Sequence, residues 1–407
     1  MNSRAKFLFV FASTTLVALL LTGAVIGKSA SRDEGPYKHL AVFTEVLNRI
    51  RSEYVEEPNM KSVTVGALNG MLESIDPFAS YLNADQYKEW AKKRDAHKGD
   101  VGLVLAKRSG MMNVVGSLAG SPAAQAGIQA GDWIESITGV ATRDMPLAYA
   151  EILLRGAPGS TVELSVLRSR RPEPQKIVVT RAVVQQPPVE ARLMREEAGY
   201  IRPMSLVEGK VAEVAAAVKR LEGEGARRIV LDLRNCSLGP VEAGVELANL
   251  FLDSGLITYA TGQKYSRENH QADPAKTVTK LPVLVIANRG TAGAAEVAAG
   301  ALLDAGRANV AGERSYGAAA VTRTVPLDDG GAIILSVAKY YSPSGKSIPD
   351  NGVMPQKLLP EPEAPVELDE NGVPIGDGTV DPAKRAEMQQ TYLEDILNLK
   401  PEDFRSK

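Results

Sequence analysis

Acyl-transfer chemistry needs a hydroxyl or thiol in contact with a group that can take its proton. This chain offers few such pairs. Thr291 and Ser315 carry hydroxyls inside two small-residue stretches, Asn288-Arg289-Gly290-Thr291-Ala292-Gly293-Ala294-Ala295-Glu296-Val297 and Gly312-Glu313-Arg314-Ser315-Tyr316-Gly317-Ala318. Among the lysines further along the chain is Lys346. A working hydroxyl–amine pair needs a contact of about 3 Å, which spacing alone does not decide. Cys236 is the single thiol, and a lone buried thiol more often packs as a small hydrophobe. Glu296 and Glu313 would serve as an acid–base pair; a first-turn helix acid and a surface-loop acid is the plainer account. The histidines are His39, His97 and His270, none in an H-E-x-x-H spacing. That argues against a zinc hydrolase, and no metal or cofactor is expected.

The elements that must position these groups need room, and 407 residues allow two or three domains, each with its own core. Hydrophobic residues make up 44% and charged residues 24%, the balance of a globular protein. A net charge of −2 gives no basic excess for nucleic acid. One cysteine excludes an intrachain disulfide, so stability must come from packing. At the N-terminus, Arg4 and Lys6 precede an uncharged run from Phe7 to Gly27. As a helix that run would span roughly 30 Å, a bilayer core. Its length favours an uncleaved anchor in the cytoplasmic membrane, although Ser29, Ala30 and Ser31 would suit cleavage of a signal peptide. Either way the body of the protein is expected outside that membrane, in the cell envelope.

Further along, Leu40, Phe43, Val46, Leu47 and Ile50 form one apolar stripe at helical spacing. Asn83 reads as the N-cap of a helix carrying Tyr87 and Trp90. From Gly199 the pattern becomes strand, helix, strand, helix: Arg228–Arg234, Val241–Leu252, Pro282–Asn288, Ala294–Ala305, with Ala332–Tyr341 closing the layer as a late strand. This alternation predicts a mostly parallel α/β core. A Pro-rich loop from Leu359 leads to a helix from Asp381-Pro382 to Leu399, with Met388, Tyr392, Leu393 and Ile396 on one face. That face is expected to pack on the domain rather than to dock a partner.

Two motifs carry a resemblance. Gly120-Ser121-Pro122-Ala123-Ala124-Gln125-Ala126-Gly127-Ile128, followed by Gly131-Asp132-Trp133-Ile134, resembles a PDZ domain. Asp76-Pro77-Phe78-Ala79-Ser80-Tyr81-Leu82 and the 288–318 stretches resemble the C-terminal processing, or tail-specific, serine peptidases. The resemblance covers nearly everything after the N-terminal segment. It implies a multidomain α/β and α+β protein: a signal peptide or anchor at 1–31, a helical region at 32–95, a PDZ domain at 96–184, a ClpP/crotonase-like α/β peptidase core at 185–358, and a Pro-rich loop with a C-terminal helix at 359–407.

The same resemblance places the family's nucleophilic Ser at Gly293 and its Lys base at Ala318. The Gln that orients the Lys falls on Thr322. In the oxyanion loop, Asp232-Leu233-Arg234-Asn235-Cys236-Ser237-Leu238-Gly239, Leu238 stands where a glycine lets the backbone approach the substrate. None of the expected catalytic groups is intact. The PDZ domain is expected to bind C-terminal peptides, the carboxylate held by backbone N–H groups at Val101, Gly102 and Leu103, and the groove lined by Val104, Leu105, Leu147 and Ala150. A PDZ that only packs on the core as a lid is the alternative. The resulting expectation is an exported, catalytically degenerate homologue acting as scaffold or regulator, with an active peptidase of the family as one partner. An active endopeptidase with displaced groups (Thr291, Ser315 or Cys236) is the competing reading. A purely structural envelope protein is a third.

Overall fold

The computed structural model describes residues 36–93, 98–108, 110–143, 145–168, 173–362 and 382–404. The N-terminal apolar run, and most of the Pro-rich loop after Leu359, lie outside the described residues. Among the described residues no helix is long and apolar enough to cross a membrane. The chain divides into two compact units after Thr64.

The first unit holds helix α1 (Pro36–Glu53) and the start of α2 (Met60–Glu73). The expected stripe on α1 is covered only in part. Phe43, Leu47 and Ile50 are half-buried, but Leu40 and Val46 are exposed.

In the second unit, β1 (Ser80–Leu82) precedes α3 (Ala84–Lys93). Asn83 caps α3 as its residue type suggests: Asn83 Oδ1 accepts the Gln86 N–H and Gln86 Oε1 accepts the Asn83 N–H, each at 3.1 Å. The PDZ domain follows as β2 (Leu103–Arg108), β3 (Met111–Ser117), α4 (Pro122–Gln125), β4 (Trp133–Ile137), β5 (Val140–Ala141), α5 (Leu147–Leu154), β6 (Thr161–Leu167) and β7 (Gln175–Thr180). Its antiparallel sheet runs β2-β3-β4-β6-β7, with β5 beside β4. Ser121 caps α4 and Pro122 opens it. Met112, Ile134, Leu164 and Val166 fill the core.

The remaining elements are β8 (Glu190–Met194), β9 (Ala198–Arg202), α6 (Lys210–Gly223), β10 (Arg228–Asp232), α7 (Val241–Asn249), β11 (Leu256–Gly262), β12 (Tyr265–Gln271), β13 (Val283–Ala287), α8 (Ala294–Asp304), β14 (Ala308–Gly312), β15 (Ala320–Pro326), β16 (Ala332–Tyr341), α9 (Ile348–Asn351), β17 (Lys357–Leu358) and α10 (Pro382–Leu397). The predicted parallel layer is present as β17-β14-β13-β10-β9-β8, with only β8 antiparallel to its neighbour. One element is corrected. The strand at 332–341 does not close this layer but belongs to an antiparallel sheet, β1-β16-β11-β12, with β15 also paired to β16. The Asp329-Gly330 turn folds β16 straight back on β15, and a tight turn can join only antiparallel strands.

Helix α10 packs as expected. Tyr392, Leu393, Ile396 and Leu397 are buried against Ala198, Tyr200, Val230 and Ile286 on one face of the parallel sheet. Each such side chain contributes about 1.5–3 kcal/mol of burial free energy. On the other face α7 and α8 lie so close that a Cβ on Gly244 would stand 2.1 Å from the Ala294 carbonyl oxygen. That close approach fixes the start of α8.

Candidate functional site

Strand β13 ends at Ala287, and the chain turns through Asn288–Gly293 into α8. At the last turn residue, Gly293, φ is +59° and ψ is −114°. An L side chain is strained in this conformation. Space is no obstacle, because a Cβ on Gly293 would meet no atom within 4 Å. The backbone therefore presents this position outward at a sharp strand-to-helix turn, with nothing on it.

Glu296, one turn into α8, ties this position to Ala318. Its carboxylate is fully buried. Oε2 accepts the N–H groups of Gly293 at 2.9 Å and Ala318 at 2.8 Å; Oε1 accepts Gly317 N–H at 2.6 Å and the Ser315 hydroxyl at 2.5 Å. Burial raises its pKa above the ordinary carboxylate value, and the four donated bonds oppose that rise. Sequence reading took Glu296 for a first-turn acid. It is that, and also the hub of the site; three of its four donors sit some twenty residues away, where local pattern gives no sign of them. Glu313 does not join it and instead faces Arg289 at 3.3 Å.

The remaining loops are fastened just as closely. Asn288 Oδ1 accepts Asn235 N–H and Gly290 N–H, each at 3.0 Å, and Asn288 Nδ2 donates to Glu361 at 2.9 Å. Arg234, buried, grips Asp232 (Nη2–Oδ2 2.6 Å) and Glu361 (2.6 Å) and lies over the Tyr392 ring. Burial pushes the Asp232 carboxyl up, but the Arg234 and Arg202 guanidiniums and hydrogen bonds from Arg234 and Tyr200 outweigh it and hold it below its ordinary value.

The hydroxyl and thiol candidates are all committed elsewhere. Thr291 is buried; its hydroxyl donates to the Leu233 carbonyl at 2.9 Å and accepts Asn288 N–H at 3.0 Å. The Ser315 hydroxyl, besides its bond to Glu296, accepts Val353 N–H at 2.7 Å. Cys236 is buried, and burial pushes its thiol up to about 12. Lys346 is exposed in the turn after β16. Thr322 lies on β15 opposite Ser336. Sequence reading missed Ser237, whose buried hydroxyl has no hydrogen-bond partner among the described residues. In the same loop Leu238 is unstrained, its carbonyl accepting Leu206 N–H at 2.7 Å. The strict steric demand falls on Gly239 (φ +142°), where a Cβ would stand 2.5 Å from the Leu206 carbonyl oxygen. Among the described residues no cluster of His, Cys, Asp and Glu could hold a metal.

The PDZ domain lies over this site. Ala106 of β2 and Val115 of β3 pack with Ala292, and Phe78, Val104, Tyr316 and Ala318 complete the seam. Gly116 passes Ser237 so closely that a Cβ there would come within 2.9 Å of its hydroxyl. The expected peptide groove is more closed than its pattern suggests. Leu105, Leu147 and Ala150 are 3%, 4% and 0% exposed, Val101 and Gly102 are buried, and Leu103 and Val104 are half-buried.

The model of peptidase family S41 matches residues 197–358, and a PDZ-domain model matches residues 114–168. A carboxy-terminal-processing protease of Bartonella bacilliformis is 30% identical over 362 residues, covering 88% of this chain and 83% of that protein. A carboxyl-terminal-processing protease of Synechocystis is 33% identical, covering 77% of this chain and 75% of that protein. Among solved structures, the photosystem II D1 C-terminal processing protease superposes with a TM-score of 0.65 at 28% identity, over 82% of this chain and 95% of that one.

Proposed function

This chain belongs to peptidase family S41, and on that premise we propose that it is a non-cleaving member that holds protein C-termini through its PDZ domain. The observation that carries the reading is the pair Gly293 and Ala318. Where a Ser–Lys peptidase needs an oxygen nucleophile and an amine, this chain has a bare backbone turn and a methyl group. Thr291, Ser315 and Cys236 give no substitute, since each is buried and the two hydroxyls are held in structural hydrogen bonds. The turn, the Glu296 hub and the fastened loops persist as a frame for positioning chain segments.

In this reading the protein is exported, held at the membrane by residues 1–31, and serves as scaffold or regulator beside an active peptidase of its family. The test uses the purified protein and an unstructured substrate with an apolar C-terminus. Binding that disappears when the terminal carboxylate is amidated, with no cleavage over a day, is the expected result. Processive cleavage that survives repurification and is abolished by Thr291→Ala or Ser315→Ala would overturn the proposal.

A further inference from the structure

The C-terminal end of the chain reaches the site by two bridges that meet in one side chain. After β17, Leu359 N–H still donates to the Gly312 carbonyl at 2.8 Å. Two residues on, Glu361 turns toward the ends of β10 and β13. Its Oε1 accepts Arg234 Nη1 at 2.6 Å, and its Oε2 accepts Asn288 Nδ2 at 2.9 Å. Helix α10 completes the hold. Gln389 Oε1 accepts the same Arg234 Nη1 at 2.7 Å, and the guanidinium lies 4.9 Å from the centre of the Tyr392 ring. The Tyr392 hydroxyl in turn donates to the Leu359 carbonyl at 2.8 Å.

Each bridge ends on a loop beside Gly293. Arg234 is buried and binds the buried Asp232 through Nε and Nη2. Without Glu361 and Gln389 its Nη1 would be left in the interior with neither acceptor. Stripping a buried charge of part of its partners is strongly unfavourable. The chain at Arg234 would have to move for the guanidinium to reach water, and Asn235–Gly239 follows directly. Asn288 is the second route. Its Oδ1 takes the N–H groups of Asn235 and Gly290, one from each loop, and its Nδ2 also donates to Asn235 Oδ1 at 3.1 Å. Asn235 sits at φ +58°. A residue with a side chain keeps that left-handed conformation only where its surroundings over-determine it. Glu361 touches both routes.

We propose that the docked C-terminal tail is a clamp on the site: Glu361 and Gln389 are positioning residues, and α10, Asn235–Gly239 and Asn288–Gly293 open and close as one unit. Whatever lifts α10 from the sheet then loosens both loops without touching them. The clamp concerns the shape of the site and holds whether or not the chain cleaves or binds peptide.

Amide hydrogen exchange on the full chain, read residue by residue by NMR, tests this. Ile396→Ala weakens α10 one turn beyond Tyr392, where the side chain is buried against the sheet. It should speed exchange of the Leu393 amide about a hundredfold, and the Asn235 and Gly290 amides by the same factor. Leu221→Ala removes a comparable side chain from α6 on the other face of the sheet. It should leave those two amides within about threefold of wild type. Glu361→Gln keeps α10 packed but offers Arg234 and Asn288 one acceptor where there were two. There Asn235 and Gly290 should exchange about tenfold faster while Leu393 is unchanged. Alkylation of Cys236, which lies in the first loop, is the independent readout and should speed up in Ile396→Ala and Glu361→Gln but not in Leu221→Ala. If Ile396→Ala speeds Leu393 while Asn235, Gly290 and Cys236 keep their wild-type rates, α10 is only a packed helix and the clamp is wrong. Equal effects of Leu221→Ala and Ile396→Ala on the loops overturn it too, because exchange then reports unfolding of the whole core. Should Ile396→Ala fail to fold, Glu361→Gln decides alone, and wild-type loop rates in it refute the clamp.

Discussion

Gly293→Ser would return a hydroxyl to the strand-to-helix turn, and the structure predicts that the protein becomes less stable and no more active. At φ +59° and ψ −114° a residue with a Cβ is held in a sparsely populated region, at a cost of about 1–3 kcal/mol. No clash adds to that cost, because the new Cβ would meet nothing within 4 Å. Reduced freedom of the unfolded chain returns about 0.4–1 kcal/mol. The net loss is about 1–2 kcal/mol, a fall in Tm of roughly 2–8 °C for a domain of this size. Urea unfolding followed by circular dichroism should show a lower midpoint at unchanged slope. Gly293→Ala should lose the same amount, since the strain belongs to the Cβ and not to the hydroxyl. Gly300→Ala, seven positions further along α8, is the control. There a Cβ would make ordinary contacts, 3.5 Å from Val353, and alanine should stabilise the helix by about 0.5–1 kcal/mol. Equal midpoints for Gly293→Ser and wild type, with Gly300→Ala destabilised, would refute the argument that this turn is held in its strained form.

Other expectations follow from the same contacts. Ala318→Lys forces a long side chain into the seam with Val104, Ala106, Val115 and Phe78; it should cost about 1–3 kcal/mol and loosen the PDZ domain, measured as faster limited proteolysis after residue 184. Glu296→Gln turns an NH2 toward two of the four donors that now point at the carboxylate, so it should lose about 3–5 kcal/mol in denaturant unfolding, whereas an exposed change such as Glu208→Gln should be neutral. Cys236, buried with its thiol pushed up to about 12, should resist iodoacetamide at pH 8 in the native protein and react fully in guanidinium, read by mass spectrometry.

Much of this was legible in the residues, and what was not has a common cause. The β13 run Val283–Ala287 and the α8 run Ala294–Asp304 were readable because length and periodicity are local properties. So was the Asn83 cap. The strand Ala332–Tyr341 was recognised as a strand, yet its sheet was not, because alternation says nothing about which partner a strand will find. The expected groove residues Val104 and Leu105 fall on β2 and Leu147 and Ala150 on α5, but the contact of Asp76–Leu82 with both elements is made by long-range bonds that local pattern does not reveal. Glu296 was visible as an acid at a helix start; its meaning depends on Ser315, Gly317 and Ala318 arriving at its oxygens.

Gly293 and Ala318, the positions on which the proposed reading rests, differ in what a larger side chain would do to the fold. At Gly293 glycine suits the backbone better than a residue with a Cβ would, so this turn can hold its shape without a side chain to do chemistry. Intact geometry there is consequently weak evidence for activity. At Ala318 the methyl is part of an apolar seam that an ammonium group would have to leave or enter at a desolvation cost. Around that methyl the PDZ domain is closely packed: Gly116 passes next to the Ser237 hydroxyl and Phe78 lies edge-on to Tyr316. An amine at residue 318 and a closed PDZ cover would therefore oppose each other. In the proposed non-cleaving reading, activity at this site would need both an amine at residue 318 and a PDZ domain able to lift from Ala292.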